Sequence, residues 1–167
     1  MEWHTFLVLT HLIGTALGVG AATFAEIFLL KAARDGEIDP IESSFMQVTY
    51  RVVRVGLLLL VLSGFGFLVI YRFTGLEERL YSPLLWAKLS IVVVILINAI
   101  LLQTRRIPLW LGSALSFASW YAAMLMIPLR KAIMPISYLE IMMWYIVSVA
   151  VVAIALSIIR KSLGIKF

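Results

Sequence analysis

Residues 11–22 read HLIGTALGVGAA and lie in the first apolar segment of the chain, which spans residues 5–30. In a helix that advances about 100° per residue, one face of this run carries only small side chains below a histidine. The small residues within roughly 60° of the direction of His11 are Gly14, Gly18, Ala22 and Ala25. Another group can therefore approach this face closely. His11, a titratable side chain that can bind a metal, lies at the N-terminal end of the face. We predict that the face forms one wall of a binding site.

The composition is that of a membrane protein. Hydrophobic residues make up 63% of the chain, charged residues make up 14%, and the mean hydropathy is +1.05. A helix that crosses a bilayer needs about 20 mostly apolar residues. Five stretches meet this requirement, namely residues 5–30, 50–71, 83–102, 109–127 and 138–159. The sequence therefore predicts an all-α fold, a polytopic bundle of five transmembrane helices, in which residues 1–167 form a single domain.

Basic residues are distributed unevenly between the two ends of these segments. With the N-terminus outside, nine lie on the cytoplasmic side: Lys31, Arg34, Arg51, Arg54, Arg105, Arg106, Arg160, Lys161 and Lys166. Four then lie outside: Arg72, Arg79, Arg130 and Lys131. Because cytoplasmic loops are enriched in Lys and Arg, this pattern favours an N-out, C-in orientation, which we assign to a bacterial or archaeal cytoplasmic membrane. The net charge of +5 thus reflects orientation in a lipid bilayer, the expected partner, and we expect no binding to nucleic acid.

Local patterns mark where helices begin. Asp39 and Pro40 place an N-cap residue before a proline at the first helical position. Ser137 is followed three residues later by Glu140, which is the capping-box spacing. A helix from Pro40 to Phe73 would be about 50 Å long, against a hydrocarbon core of about 30 Å. The first turns of the second helix should therefore protrude into the cytoplasm.

His11 and Lys88 are expected at the same depth in the outer half of the bundle. His11 lies about seven residues below the outer end of the first helix and Lys88 about five below that of the third, so both are on the order of 10 Å deep. A lysine at this depth is costly unless it finds a partner. We interpret the two residues as a candidate cofactor site, with His11 as the metal ligand and Gly14 and Gly18 as the adjoining wall. The alternatives are that Lys88 extends to the headgroups and that His11 forms a hydrogen bond between helices.

Two further polar side chains lie inside the apolar segments. Glu26 is near the inner end of the first helix, where we expect an interfacial ion pair with Arg51 or Arg54 across the first cytoplasmic turn. The alternative for Glu26 is a place in a proton or ion path. Asn98 is an amide well inside the third helix, and we expect it to form an interhelical hydrogen bond.

Four methionines are expected together toward the outer side. They are Met124, Met126, Met142 and Met143, and they accompany Trp120, Trp144 and Tyr145. The chain contains no cysteine, so any bound metal would use His, Met, carboxylate or backbone ligands. Thioethers and imidazole suit Cu(I), and the same pair of ligands suits haem. The alternative is that the methionines only fill space between helices, and His4 is expected at the outer interface.

Three short motifs suggest a family. They are His11-Leu12-Ile13-Gly14 in the first helix, Tyr50-Arg51 leading the second, and Leu85-Trp86-Ala87-Lys88-Leu89 opening the third. Over about the first 105 residues, the arrangement resembles the bacterial protoporphyrinogen oxidases of the HemJ family and, more loosely, the CopD copper-resistance membrane domain. The resemblance implies a helical bundle with haem b as cofactor. It also implies that His11 is an axial ligand and that Lys88 lies near the porphyrin, where it pairs with a propionate.

These observations lead to three hypotheses about function. The first is a redox protein that binds haem b or a related porphyrin through His11 in the outer half of the bundle. The second is a transporter or channel for copper or another small solute that uses His11 and the methionines. The third is a non-catalytic scaffold whose partner docks on the protruding start of the second helix. The sequence leaves open whether the protein is an enzyme and whether it forms a homo-oligomer.

Overall fold

The fold is a bundle of long helices. The computed structural model describes residues 2–35, 39–132 and 136–162. The helices are α1 (Glu2–Asp35), α2 (Pro40–Phe73), α3 (Pro83–Gln103), α4 (Leu109–Ala132) and α5 (Tyr138–Ser162), and a 3₁₀ turn (Glu77–Tyr81) joins α2 to α3. All five of these helices are long and apolar enough to cross a membrane, and the described residues include no β-strand. The predicted all-α, five-helix membrane bundle is therefore confirmed.

The orientation in the membrane stays a prediction. In the N-out arrangement, the outer end of the bundle carries the starts of α1, α3 and α5, and the inner end carries the starts of α2 and α4. Of the basic residues counted on the two sides, Lys166 and the side chains of Arg34, Arg130 and Lys131 lie outside the described part of the structure.

Two of the predicted helix starts are confirmed. Helix α2 begins at Pro40 with Asp39 at its N-cap, although the Asp39 side chain makes no capping hydrogen bond. At the start of α5, the Ser137 backbone N–H donates to Glu140 Oε2 (2.8 Å) and the Glu140 N–H donates to Ser137 Oγ (3.3 Å). These two bonds form the reciprocal capping box that the sequence predicts.

Helices α1 and α2 form a long antiparallel pair. Their closest approach brings Gly56 of α2 against Gly14 and Gly18 of α1, where a Cβ on Gly56 would lie 2.8 Å from the Gly18 nitrogen and 2.9 Å from the Gly14 carbonyl oxygen. At the inner end, Lys31 Nζ lies 3.3 Å from Glu42 Oε1 and ties the two helices together across their connection. The small-residue face of α1 therefore serves helix–helix packing, as small residues commonly do in membrane proteins.

Helix α4 is central, because it packs against α1, α3 and α5. Each of these contacts includes an interhelical hydrogen bond: Thr23 with Tyr121 (3.0 Å), Asn98 with the Gly112 carbonyl (2.8 Å) and Ser119 with Tyr145 (2.7 Å). Asn98 thus forms the interhelical bond predicted for it. The Trp120 side chain is fully buried in the core, among residues such as Ile91 of α3. This packing holds α1, and with it His11, in a fixed position relative to α3.

Candidate functional site

His11 lies at the outer half of the α1–α2 contact and is held by α2. Its Nδ1 is 2.9 Å from Ser63 Oγ, and its own carbonyl oxygen accepts a hydrogen bond from the Thr15 hydroxyl (2.8 Å). Ser63 is fully buried. Its position follows from the antiparallel pairing, because the close contact at Gly56 sets the register in which α2 runs past His11.

The hydrogen bonds of Ser63 favour one tautomer of the His11 imidazole. The Ser63 hydroxyl lies 2.6 Å from the Leu59 carbonyl oxygen and 3.1 Å from that of Leu60. A hydroxyl has one proton, and the Leu59 carbonyl is its nearest acceptor. We therefore assign His11 Nδ1–H as the donor to Ser63 Oγ, with the lone pair on Nε2. Metal-binding histidines typically show this arrangement, in which one nitrogen donates to the protein and the other is a ligand.

An aromatic side chain separates the two histidines. The Phe67 ring lies edge-on to His11, with centroids 5.6 Å apart, and edge-on to His4, with centroids 5.8 Å apart. Tyr71 stacks on Phe67 at 6.2 Å. His4 is exposed near the start of α1, and its position at the membrane interface stays a prediction. Phe67 thus forms an apolar wall beside His11 and keeps the two imidazoles from acting on one small ion.

The structure brings His11 and Lys88 together. Lys88 is half-buried on α3, and its ammonium group interacts electrostatically with the His11 imidazole. The 3₁₀ turn at Glu77–Tyr81 returns the chain from α2 to α3 at the outer end, which places the start of α3 at the level of His11. That the two side chains act on one ligand stays a prediction.

Gly14 and Gly18 contact protein in this structure and do not face an open cleft. A Cβ on Gly14 would lie 2.8 Å from the Leu60 nitrogen, and a Cβ on Gly18 would lie 2.1 Å from the Trp120 ring. The backbone of α2 and the indole of α4 fill the space that the sequence assigns to a ligand. A flat ligand of His11 would have to lie on the Nε2 side of the imidazole, away from these glycines.

The methionines do not form one cluster. Met126 is buried in the core, and Met124 and Met142 pack against that core. Met143 is 61% exposed on the outside of α5. Among the described residues, no group of three or more His, Cys, Asp or Glu side chains could hold a metal ion. The binding of a metal by His11 stays a prediction.

A second polar site lies at the inner end of the bundle. Glu26 and Arg160 are each 4% exposed and form a buried ion pair between α1 and α5. The Arg160 guanidinium also donates to Ser113 Oγ (3.0 Å) and to the Trp110 carbonyl (3.2 Å) of α4. The predicted pairing of Glu26 with Arg51 or Arg54 is therefore wrong.

The correction has a physical reason. Glu26 follows Ala22 by one turn on the buried side of α1, which packs against α2 and α4, and Arg160 reaches it from α5. The basic residues of α2 that follow the first cytoplasmic turn are exposed. The sequence places Arg160 in the cytoplasmic tail of the last helix. In the structure Arg160 belongs to α5, and its side chain lies inside the bundle. The position of Glu26 on the small-residue face was the available signal that its partner lies inside.

No family model, no curated protein and no solved structure matches this chain.

Proposed function

We propose that this integral membrane protein binds haem b, or a related porphyrin, through His11 at the outer end of the bundle, and that it has a redox role. The observation that supports the proposal most is the bonding of His11. With Nδ1–H donating to Ser63, Nε2 would be the ligand nitrogen. We also propose that the protein lies in a bacterial or archaeal cytoplasmic membrane, with the lipid bilayer as its partner. The proposal is compatible with a homo-oligomer.

The residues around His11 fit such a group in three respects. Nε2 of His11 would hold the haem iron. Lys88, which already interacts electrostatically with the imidazole, would neutralise a carboxylate substituent of the ligand. Phe67 offers an apolar surface beside the imidazole. Bound haem would supply one-electron chemistry at this place, while Ser63 holds the orientation of the imidazole.

His11→Ala is expected to abolish haem binding, because no other described side chain next to Phe67 combines a buried position with a fixed ligand nitrogen. The measurement is the absorbance spectrum of the full chain, purified in detergent after expression with haem supplied. The wild type should show a Soret band and His11→Ala should not. His4→Ala is the matched control, since His4 contacts the same Phe67 ring from the exposed side, and it should keep the band. A wild type without a Soret band, or an unchanged band in His11→Ala, contradicts the proposal.

Ser63→Ala is expected to weaken haem retention by about 10- to 100-fold, the usual effect of removing the group that orients a metal-binding histidine. The hydroxyl that accepts from Nδ1–H would be lost, and the imidazole could rotate. Transfer of haem to excess apomyoglobin measures the effect. Thr15→Ala is a control, because its hydroxyl bonds only to the His11 backbone carbonyl. Equal transfer rates for wild type and Ser63→Ala would show that Ser63 does not orient a ligand.

The same preparation separates this proposal from copper transport. A transporter that uses the methionines should lose copper uptake in vesicles when Met124 and Met143 are both replaced. With leucine at both positions the volume of Met124 against the core is nearly kept, and Met143 is exposed, so we expect this double variant to keep its haem band and its fold.

A further inference from the structure

An open apolar groove runs between α4 and α5 at the inner end of the bundle, opposite to His11. Its volume is about 370 Å³. The lining residues are Trp110, Ala153, Ile154, Ser157, Ile158 and Lys161. Except for Lys161, the groove is lined by apolar or small side chains. It is independent of the proposed haem site.

The shape of the groove follows from helical spacing. Ala153, Ser157 and Lys161 are four residues apart and lie on one face of α5. The two small residues form the floor, and the lysine stands at the inner end of the same stripe. Ile154 and Ile158, which are 60% and 62% exposed, form one rim, and Trp110 near the start of α4 forms the other.

The inner mouth of the groove is positively charged. Lys161 is exposed there, and Arg105 and Arg106 lie in the turn that leads into α4, a few residues before Trp110. The stretches 103–113 and 153–162 contain no acidic residue. Arg160 points the other way, into the buried pair with Glu26. The positive charge at the mouth therefore faces the headgroup level of the membrane.

We propose that this groove binds one acyl chain of an anionic phospholipid, with the lipid phosphate at Lys161. The groove is apolar along its length and ends at a cationic side chain. A phospholipid matches this order, because its apolar acyl chain ends at an anionic headgroup. One turn of an α-helix, about 10 Å across and 5.4 Å high, occupies roughly 400 Å³. The groove therefore suits a hydrocarbon chain better than a helix from a second copy of the protein.

The test uses the full chain in detergent with phosphatidylglycerol and phosphatidylcholine that carry identical acyl chains. Native mass spectrometry counts the bound lipids. The expected preference for phosphatidylglycerol is about fivefold, the effect of one lysine near a headgroup of net negative charge, since the choline of phosphatidylcholine neutralises its phosphate. Lys161→Gln should remove this preference, and Ile154→Trp should fill the groove and reduce the binding of both lipids.

Two matched controls should behave as wild type. Arg51→Gln removes an exposed charge from α2, and Ile146→Trp enlarges an exposed residue of α5 that does not line the groove. Equal binding of the two lipids, or an unchanged preference in Lys161→Gln, overturns the proposal. It is also overturned if glycerol phosphate competes as well as the intact lipid, since the site would then recognise an anion alone. Dimerisation that Ile154→Trp blocks, with no lipid bound, would assign the groove to a second copy and overturn it as well.

Discussion

Arg160→Ala is expected to lower the free energy of unfolding by about 3–5 kcal/mol, the usual cost of removing one partner from a buried ion pair. The substitution leaves the Glu26 carboxylate buried with no cationic partner from α5. It also removes the bonds from the guanidinium to Ser113 and to the Trp110 carbonyl. Three helices lose a shared contact at once. Thermal or denaturant unfolding of the full chain in detergent micelles measures the effect.

The double variant Glu26→Leu with Arg160→Met tests the cause. Replacing both partners with apolar groups removes the charge that would be left alone, so this variant should be more stable than Arg160→Ala. Lys31→Ala is the control for a pair whose cation is solvated, because the Lys31 side chain is 66% exposed while that of Glu42 is 11% exposed, and it should cost less than Arg160→Ala. If Arg160→Ala costs no more than Lys31→Ala, the buried pair does not hold α5 against α1 and α4.

Local features of this fold could be predicted from the sequence. The five membrane segments depend on the hydropathy of runs of about 20 residues. The start at Pro40 and the capping box at Ser137 and Glu140 depend on residues within one turn of each other. Asn98 was predictable for a related reason, because a buried amide must find a partner. None of these conclusions requires knowledge of which helices are neighbours.

The partner of Glu26 could not be predicted in the same way. Arg160 is 134 residues away in the sequence, and its neighbours are those of an ordinary cytoplasmic tail. Only the arrangement of α1, α4 and α5 brings the two side chains together. Lys31, the nearest cation in the sequence, pairs with Glu42, and the basic residues Arg51 and Arg54 of α2 are exposed. Charge pairs between helices depend on packing, which the composition of a single helix does not specify.

For the glycines of α1, too, the sequence predicts a local property but not the neighbouring residues. The spacing of Gly14 and Gly18 correctly indicates that something approaches this face closely. It does not indicate what approaches, and the structure places the backbone of α2 and the Trp120 ring there. For His11, one neighbour could be predicted from the sequence and the other could not. Its proximity to Lys88 followed from depth alone, whereas its bond to Ser63 depends on the register of α1 against α2.

Gly56→Ala is expected to lower the free energy of unfolding by about 1–3 kcal/mol, the cost of adding a methyl group to a closely packed contact. The new Cβ would lie 2.8 Å from the Gly18 nitrogen and 2.9 Å from the Gly14 carbonyl oxygen. Both atoms are backbone atoms, so α1 and α2 must separate, and His11 would move relative to Ser63. Unfolding in micelles measures the loss.

Gly64→Ala is the matched control for Gly56→Ala, in the same helix and with the same added methyl group. No heavy atom lies within 4 Å of a Cβ at Gly64, so only the helix propensity changes, and it favours alanine by up to about 1 kcal/mol. We therefore expect Gly64→Ala to match or exceed the wild type in stability while Gly56→Ala falls below it. Equal stability of the two variants would mean that α1 and α2 do not meet at Gly56. The register of α1 against α2 that pairs His11 with Ser63 would then be wrong.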